Sequence, residues 1–232
     1  MKPNAQCRIA RLALISLLAM APLIPAQAVP VTLSGNTVNY TFDDSLLGLF
    51  GTAKVAGDTL FFTPTQFKAT SFNGQGLVSV TEDVDVQISL KPGFSFVSLG
   101  LVERGDYLLS GPGANTADVS GALSLTDNTH TLTLVLDSVS PLNIVGLPTH
   151  NWETAVANLT GWGSSLDLSL SSTLSASTSQ ARGNAFVENK FVGITVSTVP
   201  EPSTWAIMLC GFVLLRLVYR KPGLDKVSAS SV

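Results

Sequence analysis

The sequence predicts an all-β protein, an antiparallel β-sandwich of jelly-roll-like type. Apolar residues in the middle of the chain recur with a period of two, as in Val84-Asp-Val86-Gln-Ile88-Ser-Leu90. Turn-forming pairs and triplets separate the runs: Asn73-Gly74, Lys91-Pro92-Gly93, Gly111-Pro112-Gly113 and Asp127-Asn128. Serine and threonine fill the polar positions of the alternation. Many short strands at this spacing suit two packed antiparallel sheets.

The chain reads in five parts: residues 1–28, 29–197, 198–203, 204–221 and 222–232. The first is a signal peptide. Lys2, Arg8 and Arg11 form a positive start, Leu12–Ile24 is apolar, and Ala26-Gln27-Ala28 supplies a small-x-small cleavage site. Pro22 and Pro25 break the apolar run before it reaches the ~20 residues a membrane span needs. Cleavage after Ala28 makes Val29 the first residue of the mature protein.

Residues 29–197 form the sandwich ectodomain. Val38–Phe42, Val84–Leu90, Leu123–Leu125, Leu132–Leu136 and Leu166–Leu170 read as strands, and Phe186–Val196 as a final strand or hairpin. Asp127-Asn128-Thr129 reads as a hairpin turn. One segment breaks the pattern. Asn151 can cap a helix, and Trp152, Val156 and Leu159 share one helical face, so a short helix ended by Gly161 is expected there. Ser171–Gln180 is rich in Ser, Thr and Ala, and reads as either a solvated strand or a loop.

The two cysteines are Cys7, in the leader, and Cys210, in the apolar tail. The ectodomain therefore holds no disulfide, no cysteine zinc site and no thiol nucleophile. From Val29 to Val199 there are six basic and fourteen acidic residues, a balance of −8 against −3 for the whole chain. So few cations argue against a nucleic-acid partner, because phosphate contacts need Lys and Arg.

Chemistry-bearing motifs are sparse. His130 and His150 are the only histidines, and they are not spaced as metal ligands on a helix. No Gly-x-Ser-x-Gly elbow and no Gly-Lys-Ser/Thr phosphate loop occurs. Glu82, Asp83 and Asp85, with Asp106, form the best acidic cluster for calcium, but alternation makes Asp83 and Asp85 the solvated face of a strand. Trp152 and Trp162, with Phe94 and Phe96, could form a sugar-stacking platform; core packing is the more ordinary use of such rings. No catalytic residue, cofactor or metal ligand is assigned.

The C-terminal region carries the sharpest signal. Val199-Pro200-Glu201-Pro202-Ser203-Thr204 runs into the apolar Trp205–Tyr219, then Arg220 and Lys221. Ser203 or Thr204 reads as the helix cap, Trp205 and Tyr219 as interfacial aromatics, and Arg220 with Lys221 as a cytoplasmic stop. The alternative is a buried core helix. The span is short for a bilayer.

This segment, Val199–Lys221, resembles the PEP-CTERM sorting signal. The resemblance implies an exported Gram-negative protein, a substrate of an exosortase (a membrane protease-transpeptidase) in a system tied to exopolysaccharide and biofilm. It also implies that Pro200, Glu201 and Pro202 are the recognition motif. Arg216 within the apolar run and the continuation 222–232 depart from such signals. The expected product is a non-enzymatic surface or matrix protein, first held at the inner membrane and then released to the cell surface or beyond. A carbohydrate-binding module is the alternative, and a secreted hydrolase a third.

Overall fold

The computed structural model describes residues 30–219. Ala26, Ala28, Arg220 and Lys221 lie outside that range, and so does the cleavage point expected after Ala28.

Among the described residues, twelve strands and one helix succeed one another in chain order. They are β1 (Pro30–Ser34), β2 (Val38–Asp43), β3 (Thr52–Ala56), β4 (Thr59–Thr63), β5 (Lys68–Phe72), β6 (Gly76–Leu90), β7 (Phe94–Ser110), β8 (Asn115–Thr126), β9 (Thr131–Asp137), β10 (His150–Leu159), β11 (Ser165–Thr178) and β12 (Asn184–Pro200), then α1 (Pro202–Tyr219). Two short 3-10 turns, Asp44–Leu46 and Gly48–Phe50, link β2 to β3.

The strands build two antiparallel sheets. The first has the order β1-β2-β6-β11-β8-β9. The second has the order β10-β7-β12-β4-β3, with β5 pairing the first half of β12 beside β4. From β6 to β12 the chain moves repeatedly between the two sheets. At ~3.3 Å per residue the seventeen-residue β7 and β12 run about 56 Å, so the sandwich has two distant ends.

The alternation read from sequence is what fills the interior. Val84, Val86 and Ile88 of β6 and Leu166, Leu168 and Leu170 of β11 all turn inward and are buried. From the second sheet Leu99, Leu101, Val192 and Ile194 meet them. Phe50 lies against Phe62 and Phe67, with ring centroids 5.8 and 5.5 Å apart. Each such side chain contributes roughly 1.5–3 kcal/mol of burial.

Each turn signal lies between strands. Asn73 and Gly74 take positive φ in the tight turn that carries the chain from β5 in the second sheet to β6 in the first, closed by Gln75 N–H donating to Phe72 O at 3.1 Å. Asp127 anchors the β8–β9 turn, accepting from the backbone N–H of Thr129 and His130, both at 2.7 Å. Ser171–Gln180 is largely the second half of β11, the centre of its sheet, with Leu174 and Ala176 fully buried.

The helix expected around residues 151–159 does not form; the segment is the edge strand β10. Trp152, Thr154 and Val156 pair with Gly105, Glu103 and Leu101 of β7, so the true period is two. A register shift comes after Val156, and Asn158 has φ 60°, closing the strand. The 198–203 linker is also shorter than expected. β12 continues to Pro200 and α1 begins at Pro202, leaving Glu201 alone between them. Ser203 and Thr204 therefore lie inside the helix, and Pro202 takes its first position, where a missing N–H costs nothing.

Candidate functional site

The site the structure builds most clearly is the junction of β12 and α1. Thr198, Val199 and Pro200 pair with Phe96, Ser95 and Phe94 of β7, and Glu201 N–H donates to Gly93 O at 2.9 Å. The opposite edge of β12 is unpaired at Pro200, so a residue without a donor is tolerated there. Behind this rung the end of the sandwich is tied together. Thr198 Oγ1 donates to Thr37 Oγ1 at 2.9 Å, and Asp58 accepts from Thr37 N–H and Oγ1, both at 2.8 Å. The backbone N–H of Lys91 closes the group by donating to Thr37 O at 2.8 Å. Glu201 is thus a half-buried residue fixed at one end of a rigid body.

The helix beyond Glu201 is unlike the sandwich. Ile207, Leu209, Phe212, Val213, Leu214 and Leu217 of α1 are all more than half exposed. An apolar helix that leaves its side chains this open is not buried against the described residues, so it is not the core helix that was the alternative reading. Its eighteen residues cover about 27 Å, short of a hydrocarbon core of about 30 Å. Among the described residues, no helix is long and apolar enough to cross a membrane. Arg216 and the polar first turn shorten the apolar stretch.

The other candidates separate in space. Asp83 and Asp85 lie on the outer face of the first sheet, while Asp106 is in the second sheet, 2.7 Å from Lys190 Nζ. Glu82 accepts the Leu49 N–H at 3.1 Å. Among the described residues no group of three or more potential ligands could hold a metal ion. The calcium cluster is not assembled.

The aromatic platform does not form either. Trp152 is 5 % exposed, and its Nε1 donates to Glu188 O at 3.1 Å. Trp162, half-buried in the loop after β10, meets His130 edge-on at 6.5 Å. Phe94 lies about 36 Å along β7 from Gly105, the partner of Trp152. His130 belongs to the β8–β9 turn, and His150 tilts against Tyr107 at 5.6 Å.

One group was missed by sequence reasoning. Glu103 is wholly buried among Thr154, Asn189 and Ser172, and among the described residues no cation is bonded to it. Burial, partly offset by hydroxyl and amide donors, raises its pKa to about 7. The signal was present in outline, since Glu103 sits at an inward position of the β7 alternation.

No family model matches the chain, and no curated protein matches it. Among solved structures it is similar to capsid structures of infectious bursal disease virus. The Gx strain structure is 11 % identical with a TM-score of 0.30, covering 70 % of this chain and 47 % of that one. The VP2 subviral particle is 14 % identical with a TM-score of 0.23, covering 70 % and 48 %. The chain spans about half the length of these structures, and the likeness is too slight to bear on function.

Proposed function

We propose that this is an exported surface or matrix protein, non-enzymatic, delivered by a C-terminal sorting signal centred on Pro200, Glu201 and Pro202. The observation that carries the reading is the contrast across Glu201. On one side stands a tied, hydrogen-bonded sandwich end; on the other, an apolar helix whose side chains stay open. Apolar area left in water on this scale calls for a non-aqueous partner. A helix slightly too short for a stable span suits a temporary hold at the membrane. In this reading Arg220 and Lys221 stay on the cytoplasmic side, the sandwich lies outside the cytoplasm, and an exosortase-type protease cuts near Glu201.

The sandwich is then the working part, and its role is interaction, in a matrix that includes exopolysaccharide. The repeated passage of the chain between sheets from β6 to β12 supports the jelly-roll-like description. The use made of the two histidines, one in a turn and one packed on Tyr107, supports interaction over hydrolysis. Intact-mass measurement of the mature protein from its own host tests the proposal: loss of Trp205–Val232 is expected, and a chain that retains Trp205 overturns it.

A further inference from the structure

The edge of a sheet presents unpaired backbone N–H and C=O groups, and folds blunt such edges by shortness, charge, proline or bulges. Most edges of this sandwich carry one of these devices. β1 has five residues and starts at Pro30; β3 and β5, of five residues each, carry Lys54 and Lys68. β10 shifts register after Val156, and its Glu153 carbonyl is already taken by Val139 N–H at 2.7 Å.

β9 carries none of them. Its sequence Thr-Leu-Thr-Leu-Val-Leu-Asp runs seven residues in unbroken register on β8, without Lys, Arg, Gly or Pro, and its one charge, Asp137, comes last. Rungs of an antiparallel pair are hydrogen-bonded alternately. Counting from Asp127 N–H on His130 O, the bonded rungs fall on Leu132, Leu134 and Leu136, so Thr131, Thr133, Val135 and Asp137 turn their backbone groups outward. Val139, next in that series, does donate away from β8, to Glu153 O of β10. Among the described residues no strand pairs with the outward side of Thr131–Asp137.

The side chains of β9 are open as well. Leu132 and Leu134 face the core beside the wholly buried Leu125 and Leu123, yet are only half-buried at the edge. On the outer face Val135 is 77 % exposed. Val139, Ile144, Val145 and Leu147 are exposed in the connection that follows, so apolar surface extends past the end of the strand.

The occupant that fits is an extended strand with leucines on one face, and a second copy of β9 supplies it. Under a two-fold axis at Leu134, Leu132 faces Leu136 of the copy, Thr133 faces its Val135, and Thr131 faces its Asp137. The core-facing side then stays apolar throughout, and the two aspartates lie at opposite ends, so no like charges oppose each other. Such an axis closes on itself and leaves neither β9 edge open. The other edges of this chain would bring a lysine, a proline or a register shift instead.

We propose that two copies of the chain pair antiparallel through β9, joining their six-stranded first sheets into one continuous sheet. The pairing goes beyond the sorting reading and is independent of it: a mature protein that kept Trp205 would sink the latter alone.

Sedimentation equilibrium of the full chain in density-matched detergent tests the pairing. The expected mass is twice the 24.3 kDa of one chain. Thr133→Pro removes an outward N–H and leaves the β8 ladder whole, at an edge position where proline is tolerated. Val135→Lys sets two lysines diagonally across the axis, on a side chain already in water. Each variant is expected to weaken dimerisation roughly tenfold or more, with the far-UV circular dichroism unchanged. Should Thr133→Pro fail to fold, Val135→Lys alone decides. A natural chain that stays monomeric, or a dimer that survives both folded variants, as one held by α1 would, overturns the proposal. Species that keep growing with concentration overturn the closed two-fold in favour of open edge-to-edge association.

Discussion

Asn189 donates its Nδ2 proton to Glu103 Oε1 at 3.2 Å, deep between the sheets, while Asn189 Oδ1 accepts Phe191 N–H at 3.1 Å across a bulge in β12. Thr154 Oγ1 donates to the other Glu103 oxygen at 3.3 Å, and Ser172 approaches from the facing sheet. Three strands of one sheet are thus joined through one carboxyl group with no opposite charge.

Burial moves Glu103 from its ordinary 4.5 up to about 7, so the folded protein keeps a proton that the unfolded chain has released. Its stabilising contribution is full below pH 4.5 and is lost as pH rises to about 7, roughly 3 kcal/mol in all. Glu103→Gln keeps the size and the polar contacts without the titration. Melting temperatures across this range should fall for the natural protein, relative to the Gln variant, on the order of 5–10 °C. Parallel curves for the two proteins would show that Glu103 is not held neutral.

Gly105 has no side chain because the Glu188 carbonyl, with the Trp152 indole behind it, lies where one would be. A Cβ there runs into the Glu188 carbonyl and comes within 2.7 Å of Trp152 Nε1. Gly105→Ala should cost about 1–3 kcal/mol through overpacking and loss of the Trp152–Glu188 hydrogen bond. The denaturant midpoint measures it, and an unchanged midpoint would mean that β7 does not pack this closely against Glu188 and Trp152.

Asp127 fastens the β8–β9 turn to the loop before β11, taking Gly163 N–H on Oδ2 at 3.0 Å. The Thr129 and Gly163 backbone donors hold its carboxyl well below the usual range. That contribution is present above the ordinary carboxylate value and is lost only in strong acid, as pH falls through the folded value. Asp127→Asn replaces one acceptor with a donor and should release Gly163. Faster amide exchange at Gly163 in this variant is the expected result; unchanged protection would count against the clamp.

The sandwich was legible because its interior obeys alternation almost without exception, and because glycine and asparagine mark its turns. β10 was not, and the cause is Thr154. Its inward position is polar, so Trp152-x-Thr154-x-Val156 does not read as an apolar alternation, and Trp152, Val156 and Leu159 pass for a helical face. Thr154 is polar because Glu103 is there to receive it, a long-range fact invisible in local pattern. The proposed sorting motif was legible as residues. Its anchorage was not, since nothing in Pro-Glu-Pro tells that Glu201 N–H closes a rung on Gly93.

The last prediction concerns Glu201. Pro200 ends the ladder with a fixed φ and no donor, and Pro202 starts the helix under the same restriction. One residue therefore separates two rigid elements, and its backbone is fixed to Gly93 O. Glu201→Ala leaves that backbone bond in place, so the sandwich and α1 should form unchanged. What disappears is the carboxylate at the start of an apolar helix, where, under the proposed sorting reading, a membrane protease would meet the sandwich. The variant should be exported and lose its leader normally, yet keep Trp205–Val232 and stay with the membrane fraction. At the chain's average residue mass (24.3 kDa over 232 residues), those 28 residues make it about 3 kDa heavier than the natural mature form. Glu201→Asp, which restores the charge on a shorter arm, should recover part of the processing. Equal masses for the natural protein and Glu201→Ala would remove the carboxylate from the signal. If the natural protein also keeps Trp205, Arg216 within the apolar run and the continuation 222–232 become the features that block cleavage.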